Sequence, residues 1–174
     1  KKFISHKPYK GVSLTKSGLK KGQNMVRRHR IWEMYLFQEL GYPWHKVHGE
    51  AEKLEHASSD ELIDMLDEKL GFPKTDPHGD PILSKDGKMP TLEKMWQLSD
   101  CIKGDQCNVA RVVDFNEEFM VYMNSVGIKP KVNFSIMEIR DFDKSITIDL
   151  GGKEIYLSYF TAQHIFVNRK KMKG

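Results

Sequence analysis

The stretch from His48 to His56 constrains this chain more than any other part of its sequence, because its residues sort cleanly onto the faces of a helix. With 3.6 residues per turn, Val47, Ala51 and Leu54 form a narrow apolar stripe. Polar residues fall together on an adjacent arc, each three or four positions from a neighbour: His48, Glu52, Glu55 and His56. The pattern predicts a helix that packs on one side and gathers imidazole and carboxylate groups on another.

A second pair of the same kind lies on the preceding predicted helix, where His29 and Glu33 are four residues apart. Trp32, Leu36 and Leu40 lie close by and would dock that helix against its neighbours. Imidazole and carboxylate ligands without thiolate suit Mn²⁺, Fe²⁺, Co²⁺ or Zn²⁺ better than Cu(I), and the number of carboxylates favours the harder ions. Two such pairs on packed helices therefore indicate a mixed nitrogen and oxygen metal site.

A solvated helix face is the alternative explanation of the same spacing, and it is the more common one. Two features favour the metal. The arc contains no Lys or Arg that would neutralise Glu52 and Glu55, and like charges at this spacing repel each other unless a cation lies between them. The histidines also add ligands that a solvated face would not need.

The net charge of +4 conceals a segregation along the chain. Residues 1–30 contain ten Lys or Arg and no acidic residue, whereas residues 31–70 contain ten Asp or Glu against three Lys. Local charge decides which partner a segment can meet. A polyanion would therefore meet the first segment, and a cation the second.

The first ninety residues predict a short hairpin followed by helices. Alternation in residues 2–5 and 9–14 predicts two basic strands, and Thr15 can cap a long helix that Gly41 would end. Pro43 suits the first turn of a second helix, running to about residue 57. Ser58 with Glu61 three positions later predicts a capping box for a third helix. Turn-forming residues over 74–90 then predict a linker.

The remainder of the chain predicts a small β domain. Strand-like segments cover residues 107–114, 132–139, 145–150, 153–157 and 165–169, with a short helix over 118–126. Gly151 and Gly152 form a two-residue hairpin turn. Short strands with tight turns suggest an SH3-like barrel, so the predicted fold class is α+β.

Three motifs in order, H-R-x-x-E at His29, H-x-E-A-x-x-x-E-H at His48 and G-x-P-I at Gly79, give the sequence a recognisable pattern. Together with the GVSLTKSG stretch that precedes them, they resemble the diphtheria toxin repressor family of metal-dependent regulators. The resemblance covers essentially the whole chain. It implies part of a winged-helix wing over 1–15, a helical metal-binding and dimerisation domain over 16–73, the linker over 74–90 and an SH3-like, FeoA-like barrel over 91–174.

The resemblance also implies two metal sites. An ancillary site would use His29, Glu33 and His48, with Glu118 of the barrel as a possible further ligand. The primary site would use Glu52, Glu55 and His56, completed by a residue from a helix that we expect upstream of Lys1. Glu52 occupies the position at which iron-selective members tend to carry Cys, so the resemblance favours Mn²⁺, with Fe²⁺ possible and Zn²⁺ or Co²⁺ as substitutes.

The implied function is that of a cytoplasmic, homodimeric regulator that binds a DNA operator in a metal-dependent way and has no small-molecule substrate. We expect the base-reading helix upstream of Lys1, so that Lys7, Lys10 and Lys16 would contact only phosphates. The alternative is a metal-sensing cytoplasmic domain fused to a metal-transport permease, in which case the permease part would anchor the protein in a membrane. A metalloenzyme is disfavoured, because no further acid, base or nucleophile motif accompanies the ligands.

Overall fold

The computed structural model describes residues 2–7 and 11–170 and confirms an α+β chain. The chain divides into two compact units, one comprising Lys1–Pro77 with Pro81–Thr91 and the other His78–Asp80 with Leu92–Gly174. Among the described residues, no helix has both the length and the apolar character that a membrane crossing requires. The predicted domain boundaries stay a proposal.

The first unit contains a hairpin and three helices. The elements are β1 (Ile4–Lys7), β2 (Gly11–Leu14), α1 (Lys16–Gln38), α2 (Val47–Glu55) and α3 (Asp60–Lys69). Strands β1 and β2 pair antiparallel, from Ile4 opposite Leu14 to Lys7 opposite Gly11. The sequence predicts Lys7 and Pro8 in the turn between the strands, but β1 extends to Lys7. Residues 8–10 lie outside the described part of the chain.

Helix α1 is the scaffold against which the other helices pack. Thr15 caps it as predicted, accepting a hydrogen bond from the backbone N–H of Gly18 at 3.1 Å. Ile31 of α1 packs with the buried face of α3, and Leu36 packs with Val47 and Ala51 of α2. The apolar stripe predicted for α2 thus faces α1, which orients the polar arc of α2 relative to the same helix.

Two predicted helix starts were wrong by a few residues. Helix α2 begins at Val47 and not at Pro43, because turns occupy the intervening residues and bury Trp44. Ser59, and not Ser58, caps α3, accepting the backbone N–H of Leu62 at 3.1 Å. Both serines suit a cap by residue type, and only the path of the chain decides between them.

Gly18 provides a test of how the hairpin docks on α1. A Cβ at Gly18 would lie 1.9 Å from the backbone oxygen of Phe3, whereas a Cβ at Gly22 would meet nothing within 4 Å. Helix propensity alone would make either Gly→Ala change stabilising by about 1 kcal/mol. We expect Gly22→Ala to raise the thermal stability and Gly18→Ala to lower it. Gly18→Ala alone should also speed hydrogen exchange in the hairpin, residues 2–7 and 11–14. Equal stabilisation by both changes would contradict the docking.

Residues of the predicted linker pack within the first unit to a greater extent than turn chemistry suggests. Ile82 and Leu83 are buried, and Ile82 joins the cluster formed by α1 and α3. Thr75 and Pro81 form an isolated antiparallel bridge. The turn residues therefore form a compact loop that is held in place by the buried side chains of Ile82 and Leu83.

The second unit is a six-stranded antiparallel sheet with two short helices. Its strands are β3 (Trp96–Gln97), β4 (Gln106–Val112), β5 (Asn133–Ile139), β6 (Ile146–Leu150), β7 (Lys153–Leu157) and β8 (Ile165–Lys170), in the order β3-β8-β4-β5-β6-β7. Helix α4 (Glu117–Val126) and helix α5 (Tyr159–Gln163) lie between strands in the sequence. Gly151 and Gly152 both have positive φ and join β6 to β7, which confirms the predicted hairpin.

Candidate metal centre

Three ligand atoms from α1 and α2 converge on one point. The Nε2 atom of His29 lies 3.0 Å from Oε1 of Glu33 and 3.0 Å from Nδ1 of His48, and the last two atoms are 3.3 Å apart. Neighbouring donors in an octahedral site with bonds of about 2.1 Å are about 3.0 Å apart. The three groups therefore fit around one divalent cation.

The fold brings these groups together through helix periodicity and helix packing. His29 and Glu33 lie one turn apart on α1, and His48 lies in the first turn of α2. The contact of Leu36 with Val47 turns that end of α2 toward α1. Glu33 is almost fully buried, whereas the His48 side chain is 57% exposed. The site therefore lies at the interface of the two helices and is accessible to solvent on the side of His48.

Glu55 lies between the two groups of ligands that the sequence predicts. Its Oε2 is 2.7 Å from Nδ1 of His29, and its Oε1 is 3.3 Å from Nε2 of His56. The residue is buried, at 7% exposure, near the end of α2. One carboxylate thus contacts a histidine from each predicted site, an arrangement that the spacing of the sequence does not predict.

Glu52 and His56 lie farther out than the other candidates. Glu52 is exposed and lines a shallow pocket together with His29, His48 and Glu55. The His56 side chain is 66% exposed. Within residues 2–7 and 11–170, the tight ligand cluster of this pocket contains His29, Glu33 and His48, without Glu52 or His56. A primary site at Glu52, Glu55 and His56 stays a prediction.

The charges around His29 favour a cation at this position. Burial lowers the pKa of His29, but the hydrogen bonds and negative charges of Glu33 and Glu55 outweigh it, and the net pKa lies above the usual 6.5. The two carboxylates therefore stabilise a positive charge between them. Because a metal ion needs the neutral imidazole, its binding would displace this proton and strengthen as the pH rises.

The remaining predicted contacts lie away from this cluster. Glu118 is exposed in the first turn of α4 in the second unit, where an acidic side chain complements the helix dipole, and it belongs to no ligand cluster in the described part of the chain. Lys16 is exposed at the first residue of α1. Lys10 lies outside the described residues, and the structure does not describe the side chain of Lys7.

The helices of the first unit with their His and Glu cluster, followed by a small β domain, match two family models in order. A model described as "Iron dependent repressor, metal binding and dimerisation domain" matches residues 15–84, and the FeoA domain matches residues 96–169. The first unit therefore corresponds to the metal-binding and dimerisation domain of iron-dependent repressors, and the second unit corresponds to a FeoA domain.

Similar proteins place the chain within one family. A solved structure of a manganese-dependent transcriptional repressor in complex with manganese is 43% identical, with a TM-score of 0.83 over 91% of this chain and 76% of that one. The iron-dependent repressor IdeR of Mycobacterium tuberculosis is 37% identical over 71 residues, which are 41% of this chain and 31% of IdeR. The chain belongs to the diphtheria toxin repressor family of metal-dependent regulators.

One relative has a different description. A probable metal transport system membrane protein of Chlamydia trachomatis is 44% identical over 66 residues, which are 38% of this chain and 15% of that protein. The chain thus spans less than a third of the length of both curated relatives named here.

Proposed function

We propose that this chain is the metal-sensing and dimerising part of a transcription regulator that responds to Mn²⁺ or Fe²⁺. The observation that carries the proposal is the convergence of His29, Glu33 and His48 within 3.3 Å of one another, beside the buried carboxylate of Glu55. Similarity to a manganese-bound repressor supports the choice of metal. Zn²⁺ and Co²⁺ could occupy the same nitrogen and oxygen ligands.

The ligands suit a sensor, because they connect two separate helices. His29 and Glu33 belong to α1 and His48 and Glu55 to α2, so the bound cation would supply positive charge that holds the two helices in one arrangement. A ligand shifts a conformational equilibrium only when it binds one arrangement better than the other. The α1–α2 arrangement with converged ligands is the one that metal would favour.

DNA binding and dimerisation complete the proposal. Helix α1 begins at Lys16 with no acidic residue in its first turn, although a negative charge would be favourable there, and Lys20 and Lys21 follow. This end of α1 with the β1–β2 hairpin would contact phosphates. A homodimer, acting in the cytoplasm, would recognise a two-fold symmetric operator through a base-reading helix supplied by the complete protein.

The experiment that tests this proposal is selection from a random DNA library by the complete protein, with and without Mn²⁺. We expect enrichment of a palindromic site only with metal. The variant Glu33→Gln should enrich no site at the same Mn²⁺ concentration, whereas Glu39→Gln, at the C-cap of α1 and paired with Lys69, should behave as the wild type does. Enrichment that does not require metal, or none in its presence, would contradict the proposal.

A second candidate is a metal-sensing module attached to a transport permease, favoured by the match to the chlamydial membrane protein. That match covers part of the chain, whereas the match to the manganese-dependent repressor covers 91% of it, including both units. Fractionation of cells that express the complete protein separates the two candidates. Recovery in the membrane fraction after a high-salt wash would favour the permease.

A further inference from the structure

The C-terminal end of α2 carries two of the candidate ligands, Glu55 and His56, at a place where a helix is intrinsically loose. The last carbonyls of a helix have no partner within the helix. Here the cap residue His56 stays in a right-handed conformation, and no glycine closes the helix. The backbone N–H of Ala57 donates to the Leu54 carbonyl oxygen at 3.2 Å, but this bond is local. Contacts from α1 must therefore fix the position of these ligands relative to His29.

Trp32 of α1 provides the first of these contacts. Its Nε1–H donates to the hydroxyl oxygen of Ser58 at 2.7 Å, and that hydroxyl donates to the carbonyl oxygen of Leu54, also at 2.7 Å. A hydroxyl can accept and donate at the same time. Ser58 thus relays a hydrogen bond from α1 to the last turn of α2.

Arg28, one turn before Trp32 on α1, provides the second contact. Its Nη1 donates to the backbone carbonyls of Ser58 and Glu55, the latter at 3.4 Å. Asn24 accepts from Nε at 2.8 Å, and Asp60 pairs with Nη2, which fixes the orientation of the guanidinium. A positive charge at this end also complements the helix dipole.

The two anchoring residues adjoin the two ligands of α1 in the sequence: Arg28 precedes His29, and Trp32 precedes Glu33. The same two turns of α1 therefore provide two metal ligands, His29 and Glu33, and two residues that hold the end of α2, Arg28 and Trp32. Any displacement of the α2 end relative to α1 would change the distance of 2.7 Å between His29 Nδ1 and Glu55 Oε2.

We propose that Arg28, Trp32 and Ser58 form a clasp that positions Glu55 and His56 against His29, and that this clasp sets the affinity of the site for metal. The inference rests on the metal site proposed above. The three residues touch no ligand atom of the metal, so they are positioning residues. Loss of a direct hydrogen-bond partner of a metal ligand typically lowers metal affinity about 10- to 100-fold. A positioning residue one contact farther out should act near the lower end of that range.

Two adjacent serines give a matched test. Ser58 belongs to the clasp, whereas Ser59 caps α3 and contacts Leu62. Ser58→Ala removes two hydrogen bonds, those with Trp32 and Leu54, and Ser59→Ala removes one capping bond. Each change should cost about 1–3 kcal/mol of folding stability, the larger part of that range applying to Ser58→Ala. We expect Ser58→Ala to weaken Mn²⁺ binding about 10-fold, the lower end of the range for outer partners of metal ligands. Electron paramagnetic resonance of free Mn²⁺, with the fully folded protein present, measures the change. Ser59→Ala should leave Mn²⁺ binding unchanged.

Further variants keep the inference testable if Ser58→Ala does not fold. Trp32→Phe keeps the ring but removes the N–H, and should weaken Mn²⁺ binding as Ser58→Ala does. The double variant should bind Mn²⁺ no more weakly than Ser58→Ala alone, because Ser58→Ala already removes the one hydrogen bond that Trp32→Phe removes. Ser58→Thr keeps the hydroxyl and should retain most of the affinity.

Equal Mn²⁺ affinities for wild type, Ser58→Ala and Trp32→Phe would overturn the clasp. His29→Ala, measured alongside, separates this failure from failure of the site itself. If His29→Ala weakens binding while the clasp variants do not, the metal site stands and the clasp is wrong. If His29→Ala also has no effect, the proposed metal site is wrong.

Discussion

Replacement of Glu55 by Gln is expected to lower the affinity for Mn²⁺ by more than about 100-fold, beyond the range typical of a lost outer partner. Glu55 contacts Nδ1 of His29 at 2.7 Å and Nε2 of His56 at 3.3 Å. Its carboxylate would therefore orient His29 for the first cluster and would itself bind metal in the predicted primary site, so the change removes both contributions. Gln has the same shape but lacks the negative charge that a hard divalent cation prefers. Calorimetric titration of Mn²⁺ into the folded variant measures the effect.

Glu50→Gln is the control for this prediction. Glu50 lies on the same helix but pairs with Lys53 at 3.0 Å, away from the histidines. The control should bind Mn²⁺ as the wild type does. Similar affinities for both variants would mean that the charge of Glu55 does not contribute to metal binding.

Replacement of Arg27 by Met is expected to lower the free energy of unfolding by about 3–5 kcal/mol, the usual cost of removing one partner from a buried ion pair. The Arg27 side chain is 6% exposed and contacts Asp64 at 3.0 Å and Asp67 at 2.6 Å. Without the guanidinium, the buried carboxylate of Asp67 loses its counter-charge. Urea denaturation of wild type and variant measures the difference.

Two further variants show whether burial is the cause. Arg27→Met combined with Asp67→Leu should recover part of the loss, because no uncompensated charge then remains at position 67. Lys69→Met removes the partner of Glu39 from a surface pair whose Lys is 56% exposed, and should cost less than about 1 kcal/mol. Equal losses for Arg27→Met and Lys69→Met would contradict the assignment of a buried pair.

The sequence predicts the elements of this fold best where a local signal and the tertiary structure agree. Thr15 caps α1, and Gly151 with Gly152 closes a hairpin, because hydrogen bonding and positive φ are properties of the residues themselves. The strand-like segments predicted for the second unit begin within one residue of the observed starts of β4 to β8, although the prediction for β4 runs two residues too far.

The sequence predicts less where tertiary contacts decide. Ser58 and Ser59 are equally good caps, and only the contact with Trp32 shows that Ser58 bonds elsewhere. Strand β3 has two residues and α5 has five, too short to give a periodic pattern, and neither was predicted. Pro43 favours a helix start by its residue type, whereas turns before Val47 place Trp44 in the interior.

The candidate site shows the same division. Helical spacing brings His29 near Glu33, and the docking of Val47 and Ala51 brings His48 near both. Spacing does not predict that Glu55 contacts His29, because that contact depends on the angle and separation of two helices. Helical spacing does not predict the clasp either. From the sequence alone, Arg28 belongs to the basic segment, Trp32 docks α1 against its neighbours and Ser58 caps α3.

The most direct test of the central claim is titration of Mn²⁺ into this protein and into the variants His29→Ala and His45→Ala. His29 joins Glu33, His48 and Glu55, whereas His45 precedes α2 and is absent from that cluster. We predict a Kd on the order of micromolar or tighter for wild type and His45→Ala, and loss of this binding in His29→Ala. Equal binding by all three proteins would contradict a metal site at this junction of α1 and α2.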